Sequence, residues 1–578
     1  MKLESAFLSC SALVALASGA AATQATTTRL SVSTAGVQGN SLSFEAWISA
    51  DGRCVAFQSS ATNLVAGDTN SAPDVFVRDI DGGVTERVSV ATGGIQGNSG
   101  AVAPSISSDG RFVAFAGYSS NFTAGDTNGV ADIFVRDRQN GTTECVSLAT
   151  GGAFGDGESN LPSISADGRF VVFDSYATNL VAGDTNGKPD IFLHDRLNGT
   201  TERISVATGG TQANEYSTEA VVSLDGRFVA FQSGATNLMG NDVNFRPDIF
   251  VRDRLLGTTT CVSVGSVGGF GSGGGFYPSM SADGRFVAFH SDSPDHVAND
   301  TNFTADVFVH DRLFGATERA SVAAGGVQAN AGSAYGAISA NGQFVAFLSY
   351  ASNLDSADTN GTADVYAHDR IAGTTERMSV STAGVQNSSA NQYPTISSDG
   401  RRVVFESPAF NLVAGDTNNQ SDVFLRERGA PQPIVYCTAG TTSNGCTASI
   451  AASANPSASF ANPCNVAVNG VEGQKLGLVF YGLDNTGFTP MPWAAGSSSF
   501  LCVKPPTQRT AVHNSGGTSG LCNGALGLDW NAFQAANPTA LGNPWLAGNK
   551  AFVQAWFRDP PAPKTTHLSN AVELTYQP

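Results

Sequence analysis

The sequence predicts an all-β protein, a seven-bladed β-propeller followed by a smaller β-sandwich-like module. A unit of 58 residues repeats along most of the chain, glycine is abundant at 65 residues, and charged residues make up only 14% of the sequence. This composition is typical of a turn-rich protein whose strands are buried on both faces. We expect residues 26–429 to form the propeller and residues 430–578 to form the C-terminal module.

Two motifs define the repeat. Ser-x-Asp-Gly-Arg-x-Val-Ala-Phe recurs in steps of 58 residues, with Asn341 in place of its aspartate in the sixth copy, and Asp-Thr-Asn-x-x-x-Asp-Val/Ile-Phe keeps the same step from Asp68 to Asp416. Each unit holds four segments with strand character, which is the content of one propeller blade. The Asp-Gly pair between the first two strands favours a type I′ hairpin.

The two ends of the array predict how the ring closes. After the seventh copy of the third strand, Asp422–Arg428, the expected fourth strand is missing. An unmatched copy of it, Thr27–Val32, lies 58 residues before Thr85–Val90. We therefore expect the N-terminal strand to complete blade seven, which leaves only short protected edges.

These motifs resemble the WD40-like (PD40) repeats of TolB-type propellers over about residues 27–428. The resemblance implies the propeller fold, and a role among interaction platforms, periplasmic assembly factors, or domains of peptidases and polysaccharide lyases. The region after Ile434 resembles a terminal module of secreted, multidomain planctomycete-like bacterial proteins, through Val471–Lys475, Trp556–Pro560 and Leu568–Ala571.

The N-terminus has the layout of a secretory signal peptide, which we place at residues 1–25. Lys2 precedes an apolar run from Ala6 to Ala17, and small residues follow. No other stretch approaches the roughly 20 apolar residues of a membrane helix. We predict a secreted or periplasmic protein without a membrane span. Its formal charge of −18 argues against nucleic acid as a partner.

Five cysteines follow the propeller, and export makes disulfides plausible for them. The preferred pairs are Cys437 with Cys446 and Cys502 with Cys522, which leaves Cys464 without an assigned partner.

The Asp-Thr-Asn-x-x-x-Asp loop between the second and third strands supports two interpretations. Its oxygen-bearing residues partly match a calcium loop, although two carboxylates and one amide are few for this ion. Asp and Asn also stabilise turns by bonding their own backbone, so the favoured interpretation of the loops is a structural turn, with a calcium site as the alternative. Calcium is therefore the candidate cofactor. The candidate ligands are those of the first three copies: Asp68, Asn70, Asp74, Asp126, Asn128, Asp132, Asp184, Asn186 and Asp190.

One position near the start of each first strand breaks the sevenfold symmetry. Its occupants are Glu45, Ala103, Leu161, Glu219, Tyr277, Tyr335 and Tyr393, and Trp47 lies two residues after Glu45. Aromatic faces beside a carboxylate suit a sugar or a cationic group. We therefore take Trp47 and the three tyrosines as candidate ligand-binding residues; the alternative is that they only fill the channel.

Common catalytic signatures, Gly-x-Ser-x-Gly and His-Glu-x-x-His, do not occur in the sequence. The remaining catalytic candidates are Glu45 and Glu219 in the channel, and His290 with Asp292 in a local His/Asp cluster. Whether the protein is an enzyme stays open. The favoured function is a secreted binding or scaffold protein that recognises a glycan, peptide or protein on the top face of the propeller. The alternative is a metal-dependent hydrolase, lactonase-like or phosphoesterase-like, or a polysaccharide lyase, with its site in the channel.

Overall fold

The computed structural model describes residues 25–240, 242–265, 269–429, 434–436, 446–453, 455–456, 464–485, 491–492, 500–505, 507–519, 521–542, 545, 549–558 and 566–576. The predicted signal peptide lies outside the described residues except for Ala25, and Cys437 lies outside them as well. Contacts divide the chain into two compact units, one of residues 25–428 and one that begins at Gly429. Among the described residues, no helix has the length and apolar character needed to cross a membrane.

The first unit consists of seven antiparallel sheets of four strands, which we call blades one to seven. Blades one to three are β2 (Ser43–Ile48), β3 (Cys54–Ser59), β4 (Asp74–Asp79), β5 (Val84–Arg87); β6 (Ala101–Ile106), β7 (Phe112–Gly117), β8 (Asp132–Asp137), β9 (Thr142–Cys145); and β10 (Ser159–Ile164), β11 (Phe170–Ser175), β12 (Asp190–Asp195), β13 (Thr200–Arg203). Blades four to six are β14 (Ser217–Val222), β15 (Phe228–Ser233), β16 (Asp248–Asp253), β17 (Thr258–Cys261); β18 (Gly275–Met280), β19 (Phe286–Ser291), β20 (Asp306–Asp311), β21 (Ala316–Arg319); and β22 (Ser333–Ile338), β23 (Phe344–Ser349), β24 (Asp364–Asp369), β25 (Thr374–Arg377). Blade seven is β26 (Gln392–Ile396), β27 (Arg402–Ser407), β28 (Asp422–Glu427) and the N-terminal β1 (Thr26–Arg29).

The N-terminal strand closes the ring, as the sequence predicted. β1 pairs antiparallel with β28, with Thr26 opposite Glu427 and Arg29 opposite Phe424. The first strand of each blade contacts those of its neighbours, and β26 contacts β2. The first unit is therefore a closed seven-bladed propeller whose inner strands surround a central channel.

Neighbouring blades are joined by backbone hydrogen bonds and by arginine stacking. At one end of the channel, the N–H of Ser108 donates to the carbonyl of Ala166, and the N–H of Ala166 to that of Leu224. Farther out, the ring of Phe170 lies between the guanidinium groups of Arg169 and Arg254, each 4.6 Å from its centroid. Such cation–π contacts add to the apolar packing between blades.

The turn between the first two strands is not the predicted type I′ turn. In blade two the N–H of Gly110 donates to the carbonyl of Ser107, and Gly110 has a φ of 74°. Asp109 does not have a positive φ, whereas type I′ requires one at both central residues. Instead, the Asp109 carboxylate accepts hydrogen bonds from Ser107 Oγ and from the N–H of Arg111. This side-chain capping favours the ordinary right-handed turn.

The described residues of the C-terminal unit form a β-sandwich with one short helix, α1 (Trp530–Ala536). Its larger sheet contains β29 (Ile434–Tyr436), β39 (Thr566–Thr575), β38 (Lys550–Arg558), β32 (Leu476–Gly482), β35 (Gln508–Arg509) and β36 (His513–Asn514). The smaller sheet contains β30 (Ser449–Ala452), β31 (Asn465–Val471) and β37 (Gly524–Asp529), and β33 (Met491–Pro492) pairs with β34 (Phe500–Leu501). One core joins the two main sheets, since Ile450 and Val468 of the smaller sheet cluster with Tyr481 and Val553 of the larger.

The predicted disulfide pairs are wrong, because Cys446 is bonded to Cys522, with 5.3 Å between their Cα atoms. Both residues shortly precede a strand, β30 and β37, and these strands flank β31 and run in the same direction. Their starts therefore lie at the same end of the sheet, although 76 residues separate the cysteines. Cys502 is also disulfide-bonded, and Cys464 is buried.

Candidate functional site

The channel mouth is built by seven irregular positions, one near the start of each inner strand. In β2 the pairing register shifts between Phe44 and Trp47, and the other six inner strands shift at the same place. The residue within each shift has a positive φ, between 41° and 56°: Glu45, Ala103, Leu161, Glu219, Tyr277, Tyr335 and Tyr393. A non-glycine residue pays roughly 1–3 kcal/mol for this conformation, and such strain clusters at functional sites.

These seven residues line a cavity of about 390 Å³ in the channel. They are the set that the sequence singled out, and Trp47 lines the same cavity with 42% of its surface exposed. Two glutamates and three tyrosines lie among the lining residues, which include no lysine or arginine. The cavity is therefore aromatic and acidic.

The three tyrosines lie on consecutive blades and contact each other. The ring centroids of Tyr277 and Tyr335 are 4.9 Å apart, and those of Tyr335 and Tyr393 are 4.6 Å apart. His290 lies behind them, stacked on Tyr277 at 5.5 Å and on Phe276 at 5.6 Å. Burial lowers the pKa of His290 to about 4, so this imidazole is neutral at physiological pH. Together they form one continuous aromatic wall.

Four carboxyl groups lie near this wall. Two of them, Glu45 and Glu219, were predicted by comparing the repeats of the sequence. Burial and, to a lesser extent, the charge of Glu45 raise the pKa of Glu219 to about 7. Behind them lie Asp174, 5% exposed, and Glu406, 2% exposed. Burial, together with repulsion from Glu219 on Asp174 and from Glu45 on Glu406, raises the pKa of each to about 8. The four acids are therefore electrostatically coupled.

The two additional acids belong to a second varying position of the repeat. This position is the next-to-last residue of each second strand. It holds Gln58, Ala116, Asp174, Gln232, His290, Leu348 and Glu406. Several of its side chains hold the irregular backbone of the next blade. Gln58 Oε1 and Glu45 Oε2 each accept from the N–H of Ala103 at 3.0 Å, and Glu406 accepts from the N–H groups of Glu45 and Ala46. Comparing this position across the repeats is the sequence signal that would have identified it.

Replacing the two deep acids is expected to stabilise the propeller at high pH. The pKa of each is about 8 in the folded state, against an ordinary value near 4, so the folded protein binds more protons than the unfolded chain between these values. Stability therefore falls as pH rises through this window. We expect Asp174→Asn and Glu406→Gln each to raise the free energy of unfolding by about 4–5 kcal/mol at pH 8 and by only about 1–1.5 kcal/mol at pH 5.

Urea denaturation at both pH values measures this effect, with the exposed Glu158→Gln as the charge-matched control. An equal gain at pH 5 and pH 8, or no gain at either, would contradict the assignment of these acids.

The residues of the predicted His/Asp cluster have separate contacts, although the charge of Asp292 acts on His290. His290 belongs to the aromatic wall, whereas Asp292 accepts a hydrogen bond from the N–H of Gly274. His296 is 1% exposed and lies between the carbonyl of Val264 and Ser291 Oγ. Within the described part of the chain, no group of three or more His, Cys, Asp or Glu side chains is arranged to hold a metal ion.

The candidate calcium loops of blades one and three hold arginine and glutamine against their aspartates. Arg87 Nη1 lies 3.4 Å from both Asp68 Oδ1 and Asp74 Oδ2, and Gln96 Nε2 donates to the same two oxygens. Asn70 Nδ2 donates to Asp74 Oδ2 as well. In blade three, Arg203, Gln212 and Asn186 make the equivalent contacts with Asp184 and Asp190. The loop of blade two, with Asp126, Asn128 and Asp132, lacks both the arginine and the glutamine.

Comparison with known proteins found similarity to solved structures alone. No family model and no curated protein matches the sequence. Similar solved structures include TolB from Acinetobacter baumannii, at 18% identity and a TM-score of 0.31, over 52% of this chain and 58% of that one. An oligogalacturonate lyase in complex with manganese is 12% identical, with a TM-score of 0.43, over 70% of this chain and 94% of that one. The Cps50 (Swd1) β-propeller domain of Myceliophteria thermophila is 11% identical, with a TM-score of 0.35, over 66% and 95%.

The closed ring of seven four-stranded sheets makes the first unit a β-propeller. Its 58-residue repeats resemble those of WD40-like, TolB-type propellers. At the identities of these solved structures, the likeness concerns the fold alone.

Proposed function

We propose that the protein is a secreted binding propeller that takes a lysine side chain of a peptide or protein ligand into its channel mouth. The observation that carries this proposal is the arc from Glu219 through Tyr277, Tyr335 and Tyr393 to Glu45, in a cavity whose lining includes no basic side chain. Tyrosine faces attract a cation through their ring quadrupole, and the half-buried carboxylates of the two glutamates attract it by charge. A lysine side chain offers both an apolar stem for the tyrosines and an ammonium group for the glutamates.

The state of the acids supports a cationic ligand. Burial and mutual repulsion raise the pKa of Glu219, and burial raises that of Glu45. A positive charge placed between them would favour their ionised forms and recover part of this energy. Binding should therefore release protons and strengthen between pH 6 and pH 8, where lysine, with an ordinary pKa near 10.4, stays charged.

Calorimetric titration with a lysine-centred pentapeptide tests the proposal, and the same peptide with Nε-acetyl-lysine is the matched control. We expect the lysine peptide to bind at least tenfold more tightly than the acetylated one, and to bind more tightly at pH 8 than at pH 6. Equal affinities for the two peptides would overturn the proposal. Tighter binding of an uncharged oligosaccharide would replace it with a glycan-binding function.

One observation favours the enzymatic alternative. The pKa of Glu219, about 7, suits a group that accepts a proton near neutral pH. A lyase that acts on uronic-acid polymers would, however, bring carboxylate groups against the acidic channel, which opposes binding. A neutral or cationic substrate of a hydrolase would not meet this barrier. Turnover of a lactone or phosphoester that is lost in Glu219→Gln, in protein purified with and without divalent metal, would support this second function.

A further inference from the structure

The paired aspartates of the loops before the third strand carry an arginine counterion in five blades. In each, the last residue of the fourth strand is an arginine whose guanidinium lies 3.4 to 3.7 Å from both carboxylates. The arginines are Arg29, Arg87, Arg203, Arg319 and Arg377. In four of these blades a glutamine amide also donates to both aspartates: Gln38, Gln96, Gln212 and Gln328.

Blades two and four lack both the arginine and the glutamine. Cys145 and Cys261 stand in place of the arginine, and Phe154 and Phe270 stand in place of the glutamine. The aspartates are nevertheless kept and remain buried: Asp126 is 7% exposed, Asp132 0%, Asp242 8% and Asp248 0%. None of these four appears in an ion pair within the described residues. Each of the two blades thus buries two carboxyl groups without the positive charge that the other blades supply.

In blade four, one carboxylate oxygen of the aspartate pair has no hydrogen-bond partner. Asp242 Oδ1 is buried and makes no hydrogen bond. An unpaired buried oxygen of this kind costs about 1–3 kcal/mol, and more when it is charged. The second carboxylate, Asp248, accepts from Ser263 Oγ and Asn244 Nδ2 but has no cationic neighbour among the described residues.

In blade two, two further oxygens surround the same place. Thr123 Oγ1 is buried without a hydrogen-bond partner, and its equivalent in blade six, Asp355, lies 2.8 Å from Arg377 Nη2. Gly125 is equivalent to Gly183, whose carbonyl accepts from Arg203 Nη2 at 3.1 Å. The position that the guanidinium occupies elsewhere is thus adjacent, in blade two, to a hydroxyl and a carbonyl besides the two carboxylates.

We infer that blades two and four each bind one calcium ion where the other five blades hold a guanidinium group. In blade two, carboxylate, hydroxyl and carbonyl oxygens are the ligands that calcium prefers, and water can complete its shell because Gly125 and Thr127 are exposed. In blade four, Met239 stands in place of Thr123, so the two aspartates are the ligands that the described residues supply there. The two positive charges of the ion match the two aspartates. The cysteine and phenylalanine occupy the rest of the space, since Cys145 and Phe154 pack in one apolar cluster.

Counting bound calcium tests this inference, by calorimetric titration of the mature, chelator-treated protein and by elemental analysis after desalting. We expect two ions per chain. Cys145→Arg with Phe154→Gln, which gives blade two the residues of its neighbours, is expected to reduce the count to one. Cys261→Arg with Phe270→Gln is expected to do the same for blade four, and the combined variant is expected to bind none.

The reverse exchange is the matched control. Arg203→Cys with Gln212→Phe in blade three is expected to raise the count to three, and the circular dichroism spectrum of each variant verifies its fold. No calcium bound to the wild type at millimolar concentration would overturn the inference, and so would a count near seven. A count of two that the blade-two and blade-four exchanges leave unchanged would overturn it as well.

Discussion

Replacing Glu45 and Glu219 together with glutamine is expected to weaken binding of a lysine-centred peptide at least tenfold at pH 8, which corresponds to about 1.4 kcal/mol. Glutamine keeps the size of the side chain, and its carbonyl can still accept from the N–H of Ala103, as Glu45 does. The variant therefore removes charge from the channel mouth and preserves its shape. At pH 5 the expected difference is smaller, because Glu219, with a pKa of about 7, is already protonated in the wild type.

The tyrosines provide the control for this double variant. Tyr335→Phe removes one hydroxyl and keeps the aromatic face, so we expect it to retain most of the affinity and the same pH dependence. Tyr335→Leu removes the face and is expected to weaken binding at both pH values. If the double glutamine variant bound the peptide as tightly as the wild type at pH 8, the carboxylates would not be part of the binding site.

Removing the closing strand is expected to have the largest effect on stability. A chain that begins at Ser33 would lose β1 and the buried Leu30, and β28 would be left as an unpaired edge. Asp416 and Asp422 would also lose their counterion, Arg29. From the lost apolar burial and backbone hydrogen bonds we expect a loss of about 5 kcal/mol or more, measured by urea denaturation.

A synthetic peptide of residues 25–33 tests whether the effect comes from strand pairing. Added to the truncated chain, it is expected to raise the melting temperature in a concentration-dependent manner. A peptide of the same composition in scrambled order should have no effect. Equal stability of the full and truncated chains would show that β1 does not close the ring.

The sequence predicted the fold well because each blade repeats the same local signals. The 58-residue step defined the strands, and the missing fourth strand after Arg428 was found at Thr27–Val32. The turn type was wrong because the Asp-Gly pair is also compatible with a right-handed turn, which Asp109 stabilises through its side chain. The cysteine pairing was wrong because it followed proximity in sequence, whereas sheet pairing brings Cys446 to Cys522.

The sequence predicted some residues of the candidate site and missed others. Comparing one position across the blades found Glu45, Glu219 and the three tyrosines, since these side chains interrupt an otherwise regular repeat. Asp174 and Glu406 were missed because they lie in second strands, where burial on both faces predicts apolar residues. Their coupling to the glutamates depends on contacts between blades, which no local pattern encodes.

The most direct test of the proposed function is a crystal structure of the mature protein in complex with the lysine-centred pentapeptide at pH 8. We expect the lysine Nζ within 3.5 Å of the carboxylate of Glu219 or Glu45, with the stem of the side chain against Tyr335. A peptide bound elsewhere on the propeller, or a lysine directed away from the channel, would contradict the proposal.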